Sequence, residues 1–161
     1  MDEVVGEARV GFHVHDLGRY HGMIARHMGE GVFAYICYSR AQEDDAEQSV
    51  RAALALVDAV ASHRRGADAA LQARIGIATG TVIVGELLGN ETPAEQTVIG
   101  DAPSLAARLQ ALAEPGAVLI CPRTRRLAGG QFECRDLGPV TLQGRAEPVS
   151  VWQVLGPREA A

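Results

Sequence analysis

The sequence is short of several things, and each shortage removes a class of function. It has no surplus of basic residues: the net charge is −5 and the isoelectric point about 5.5. A nucleic-acid binder needs Lys and Arg to replace the counterions of phosphates, so no nucleic-acid partner is expected. No apolar run approaches the roughly 20 residues that cross a bilayer, so no membrane span is expected. The opening MDEVVGEARV lacks a basic start and an apolar core, so no secretory signal is visible. Cysteine is scarce: Cys37, Cys121 and Cys134 are odd in number, widely spaced, and set among apolar or strand-like neighbours. That argues against a disulfide framework and for reduced, partly buried thiols in a cytoplasmic protein. Internal repeats, linkers and low-complexity segments are also lacking.

What is there suits one soluble domain with a real core: 161 residues, 47% of them hydrophobic. The segment HVHDLGRYH carries His13, His15 and His21 around Asp16. A spacing of two points His13 and His15 to different helix faces and no second cluster completes a site, so solvated or packing histidines are expected. GMIARHMG and GVFAYICYS read as two strands joined by a Gly-Glu-Gly turn, with Gly29 and Gly31 supplying the positive φ of a tight hairpin. Glu30 at its tip is either a metal ligand or an ordinary turn acid. The apolar repeat Val50, Leu54, Val57, Ala61 predicts a helix over 43–64. Glu43, Asp44 and Asp45 suit its positive end, His63, Arg64 and Arg65 its negative end, and Glu47 and Arg51 form an i,i+4 pair.

After the connector GADAA, strands are expected in ARIGIAT and VIVG around a turn at residues 79–81, and again in QTVIG. Asp101 reads as an N-cap with Pro103 in the first turn of a helix whose buried stripe is Leu105, Leu109 and Leu112. PGAVLIC predicts a strand and PRTRRLAGG a short helix ended by glycines. The tail predicts two or three strands with turns at Gly138-Pro139 and Gly144-Arg145. Hairpins mixed with helical crossovers give an α+β fold, one sheet with helices packed on it.

Four stretches taken in order, HMGEGVFAYICYSRAQEDDAEQSVRAALAL, ARIGIATGTVIVGELLG, EQTVIGDAPSLAARLQALAEPG and FECRDLGPVTLQGRAEPVSVWQVLG, resemble the catalytic domain of class III adenylate and guanylate cyclases. The resemblance runs over 21–156, leaving 1–20 as a remnant of the first cyclase helix and 157–161 as a tail. It implies a ferredoxin-like cyclase fold with the first strand apparently missing. It also implies the family's reaction, closing a purine nucleoside triphosphate into a 3′,5′-cyclic monophosphate with release of pyrophosphate. Two divalent cations, Mg²⁺ or Mn²⁺, sit on two aspartates of adjacent strands. The site lies between two domains: one brings the metal ligands, the other the base-reading and charge-stabilising groups. A homodimer, or a heterodimer with another cyclase domain, is therefore the implied assembly.

Carried over by position, the second metal aspartate is Glu30. Its extra methylene moves the carboxylate by about 1.5 Å, and Mg²⁺ tolerates little error around its ~2.1 Å shell, so weak binding is implied. For the first metal aspartate the nearest segment is VGFHVHD, where the Gly-Phe precedes the aspartate rather than following it. Arg26 stands where a lysine reads adenine. Thr97 occupies the second base-reading position and favours ATP over GTP. Ser104 and Arg108 stand for an Asn and an Arg that face the substrate, and Gln143 for the lysine of a Leu-Lys-Gly turn aimed at the phosphates. These departures imply a catalytically impaired or regulatory cyclase-homology domain, inactive as an isolated homodimer. The alternative is an active or weakly active adenylate cyclase domain working with a partner chain, and a third reading is a protein-contact module sharing only the fold.

Overall fold

The computed structural model describes residues 2–7, 22–28, 31–36, 43–62, 64–65, 69–70, 72–80, 83–85, 97–99 and 101–159. Glu30, Cys37, His63, the amino-terminal histidines with Asp16, and the polar loop 90–95 lie outside the described residues. In chain order the elements are β1 (Asp2–Glu7), β2 (Gly22–Met28), β3 (Gly31–Ile36), α1 (Asp45–Ser62), β4 (Arg64–Arg65), β5 (Ala69–Ala70), β6 (Arg74–Thr79), β7 (Ile83–Gly85), β8 (Thr97–Ile99), α2 (Asp101–Leu112), β9 (Val118–Ile120), α3 (Pro122–Ala128), β10 (Phe132–Val140) and β11 (Val149–Pro157). Seven strands form one sheet in the order β10-β11-β9-β6-β1-β3-β2, and β4-β5 and β7-β8 form separate two-stranded ribbons. Within the sheet only β6 and β9 pair in parallel. The architecture is the expected α+β one. Among the described residues, no helix is long and apolar enough to cross a membrane.

Strand alternation divides the core in two. Ile75 and Ile77 of β6 and Val118 and Ile120 of β9 face Val50, Ala53 and Val60 of α1. The intervening Ala78, Leu119 and Cys121 face Leu105, Ala106 and Leu109 of α2. The sheet is thus covered on both faces, which is why β6 and β9 read as nearly continuous apolar runs. On the α2 side the packing is close. A Cβ on Gly76 would overlap the Ala106 carbonyl oxygen and the Gln110 amide nitrogen, and one on Gly80 would stand 3.0 Å from the Ala102 Cβ. Glycine and alanine let the helix backbone settle onto the strand.

Besides Arg64 and Arg65, expected at the end of a helix over 43–64 but found in β4 after that helix stops at Ser62, three expectations change. The first strand is not missing. Asp2–Glu7, expected as a helix remnant, forms β1 between β6 and β3, pairing antiparallel with both from Asp2↔Thr79 and Asp2↔Ile36 onward. Only Val4 and Val5 are strand formers among acids and glycine, so local propensity says little. The unpaired groups of two neighbouring strands supply the drive. Second, the stripe of α1 is rotated: Ala46, Val50, Ala53, Leu56 and Val60 are buried, whereas Leu54 and Val57 are half-buried and Ala61 is exposed. Third, Leu112 is 44% exposed because α2 ends there, leaving Leu105 and Leu109 as the stripe with Ala102 and Ala106. The Glu47–Arg51 pair forms as expected, with Arg51 Nε donating to Glu47 Oε1 at 2.9 Å, and Arg51 also lies over the Phe132 ring.

Candidate functional site

One polar face of α2 gathers most of the chemistry. Asp101, Ser104 and Arg108 are spaced by three and four residues, which aligns them along the helix. Ser104 is exposed and Arg108 half-buried. Beside this face runs the segment after β10. The Arg145 amide donates to the Leu142 carbonyl at 3.1 Å, closing a four-residue turn with Gly144 at φ +82°. Positive φ at the third position is what a type II turn requires. Leu142 anchors the turn by burying its side chain in the α2 core. The Arg108 guanidinium reaches the turn's glycine, its Nη2 standing 3.3 Å from where a Gly144 Cβ would be. The Arg145 guanidinium donates to the Asp101 carboxylate at the other end of the face.

The sequence-named residues are therefore partly brought together. Ser104 and Arg108 share the helix face, and Arg108 touches the turn that holds the exposed Gln143. Among the described residues Arg108 has no carboxylate partner. Thr97 opens β8, paired with Gly85, four residues ahead of α2. Arg26 lies on edge strand β2, opposite Phe33 and just past an irregularity after Ile24. β2 is three strand positions from β6, which α2 covers.

For the cation, no group of three or more His, Cys, Asp or Glu stands together among the described residues. Glu30 follows β2 in the connection to β3, whose ladder closes with Met28↔Gly31. Because Gly6 of β1 pairs with Val32, β1 ends at Glu7 on the side of that same connection. By residue type Glu7 and Glu30 would offer a hard cation oxygen donors only. Sequence reasoning missed Glu7 because it sought an aspartate before a Gly-Phe turn. It also missed the Asp101–Arg145 pair, 44 residues apart; Asp101, expected as an N-cap, is instead the first residue of α2, and nothing local joins it to an arginine one residue past a turn glycine.

The family model of the adenylate and guanylate cyclase catalytic domain matches residues 22–156. An uncharacterised protein of Rhizobium meliloti (strain 1021) is 35% identical over 143 residues, covering 87% of this chain and 14% of its own length. The terminal-differentiation-specific adenylate cyclase of Dictyostelium discoideum is 35% identical over 91 residues, 53% of this chain and 4% of its own. The chain thus spans a small part of the length of these curated relatives. Among solved structures, the guanylate cyclase domain of RhGC from Catenaria anguillulae in complex with GTP matches with a TM-score of 0.83 at 15% identity, covering 98% of this chain and 96% of that one. The adenylyl cyclase CyaB from P. aeruginosa matches at 0.78 and 24% identity, covering 98% and 94%. At such identities these two likenesses concern the fold.

Proposed function

The chain belongs to the family of adenylate and guanylate cyclase catalytic domains, and we propose that it acts in intracellular signalling as a catalytically impaired or regulatory member whose own copies make little cyclic nucleotide. The substrate class is a purine nucleoside triphosphate, with ATP favoured over GTP through Thr97. In the reaction the ribose 3′-oxygen attacks the α-phosphate, the bond to the β-phosphate oxygen breaks, and pyrophosphate leaves. Mg²⁺ or Mn²⁺ held by Glu30, with Glu7 as the second carboxylate, would ease formation of the nucleophile and screen phosphate charge. Arg26 and Thr97 would orient the base. Arg108 would stabilise charge developing on the phosphate, and Ser104 would offer it one hydroxyl donor.

The observation that carries this reading is the α2 face with its turn: an arginine with no carboxylate partner among the described residues next to Ser104 and Gln143. It also explains the impairment. Serine has one donor where an amide has two, and Gln143 has no charge. If each loss removes roughly 2–4 kcal/mol of transition-state stabilisation, the rate falls by several powers of ten. Mass spectrometry of nucleotides after incubation with Mn²⁺ and ATP or GTP tests this. Only trace cyclic product is expected, and turnover on the order of 1 s⁻¹ or more would overturn the impairment. The position of β1, ending at Glu7 beside the hairpin connection, favours a second reading: weak activity when a partner cyclase domain completes the site. Product that appears only when such a domain is added would select it.

A further inference from the structure

Gln143 removes a positive charge from the turn, but the turn does not lack one. Arg145, two residues on, carries its guanidinium back onto the first turn of α2. Its only ion-pair partner among the described residues is Asp101, whose side chain is 83% exposed, while the Arg145 side chain is 26% exposed. Asp101 and Arg108 are seven residues apart on one face, about 10 Å along the axis, with Ser104 between them. The two guanidinium groups therefore bracket Ser104, one held at the Asp101 end and the other against Gly144. Among the described residues two arginines stand here against one aspartate, on a chain whose net charge is −5.

From this arrangement we propose that Arg145 is a phosphate-binding residue that offsets part of the loss of the turn lysine, and that Asp101 occupies it until a triphosphate displaces the carboxylate. The proposal rests on the cyclase reading above and adds a residue and a built-in competitor to it. The exchange is physically easy. An exposed ion pair contributes little to stability, so breaking it costs little. A guanidinium meeting a phosphate makes paired, charge-assisted hydrogen bonds, with a ligand carrying several negative charges in place of one. The turn need not move: Leu142 stays buried and the bond from the Arg145 amide to the Leu142 carbonyl stays closed, so only the arginine side chain turns over.

Signs separate this from a structural brace. If the pair merely holds the turn in place, removing either partner weakens nucleotide binding. If Asp101 competes with the ligand, removing it strengthens binding. Calorimetric titration of the full chain with ATP and, separately, with inorganic tripolyphosphate, both with Mn²⁺ present, reads the difference. Arg145→Gln is expected to weaken both ligands roughly tenfold, and Arg145→Lys, which keeps the charge, to restore most of that loss. Asp101→Asn is expected to tighten both roughly two- to fivefold. Thermal unfolding of each variant, with Arg145→Lys as the conservative control, shows that the fold is kept. If Asp101→Asn weakens binding in parallel with Arg145→Gln, or Arg145→Gln changes nothing while Arg108→Gln weakens binding, the proposal is overturned and the cyclase reading stands. If the unaltered chain binds neither ligand, both fall.

Discussion

Gly76 decides how near α2 can come to the sheet. Its missing Cβ leaves room for the Ala106 carbonyl and the Gln110 amide, backbone atoms that cannot swing aside, and for Leu109 Cβ at 2.9 Å. Gly76→Ala is expected to destabilise the chain by about 3 kcal/mol or more, at the top of the overpacking range, as read from urea unfolding midpoints. Cys134 gives a test in pH. Burial pushes its thiol up, against the pull of Arg125 and Arg158. A thiol raised in the native state ionises first in the unfolded chain. Its contribution is therefore complete below the ordinary thiol range and is lost as pH rises through it toward the native value. Stability is expected to fall with pH above about 8.5, and Cys134→Ser to flatten that slope in unfolding curves measured across it. Cys121 differs: it is buried and lies 3.3 Å from the Thr124 hydroxyl, which is 2.8 Å from that of Thr79.

Helix α2 shows what periodicity can and cannot supply. Its apolar spacing predicts Leu105, Leu109 and Leu112 as equivalents, yet Leu109 is fully buried and Leu112 is not. Leu109→Ala is expected to cost about 2–5 kcal/mol, and Leu112→Ala under about 1 kcal/mol; paired denaturation curves check the contrast. In the tail the expected Gly138-Pro139 turn is instead a bulge inside β10. Gly138 takes φ +76° and its amide binds the Asp136 carboxylate at 2.8 Å, while β10 continues to Val140. Glycine and proline in sequence mark a break in regular pairing equally well for a turn or a bulge, and the partner strand chooses. The Gly144 turn, by contrast, was legible, because Gly-Arg after a strand closes locally.

At the scale of the molecule, β10 makes a poor edge for pairing: two register irregularities, exposed Pro139, and the charges of Glu133, Arg135 and Asp136 interrupt it. If two domains share a site, they therefore meet by faces rather than by extending the sheet at this edge. Light scattering at micromolar concentration is expected to show dimer, and monomer alone would count against a shared site. Function follows the same logic. Paired with a partner domain that has both metal aspartates, Ser104→Asn with Gln143→Lys is expected to raise cyclase activity at least about tenfold, roughly 1.4 kcal/mol. The same change in the chain alone is expected to do much less, because both of its candidate metal carboxylates, Glu7 and Glu30, are glutamates rather than aspartates. All fifteen basic Lys/Arg positions are arginine, so Arg26 in place of lysine follows the habit of the whole chain, whereas Gln143 departs from it.

Order and type of elements follow from the sequence alone wherever a period or a punctuating residue acts locally: the β2–β3 hairpin, the span of α1, α2 beginning at Asp101, α3 ended by Gly129, and the alignment of Ser104 with Arg108. So does the family, because ordered motifs survive as text. The tertiary structure decided what depends on neighbours distant in the chain. Val4 and Val5 become a central strand only because β6 and β3 leave backbone groups unpaired on either side. Which face of α1 is buried, and that Leu112 is left out, depend on where the sheet lies beneath each helix. Arg145 reaches Asp101 only because Leu142 draws the turn into the α2 core. Local rules carry information over three or four residues; these contacts are made between segments whose sequences do not constrain one another until packing brings them together.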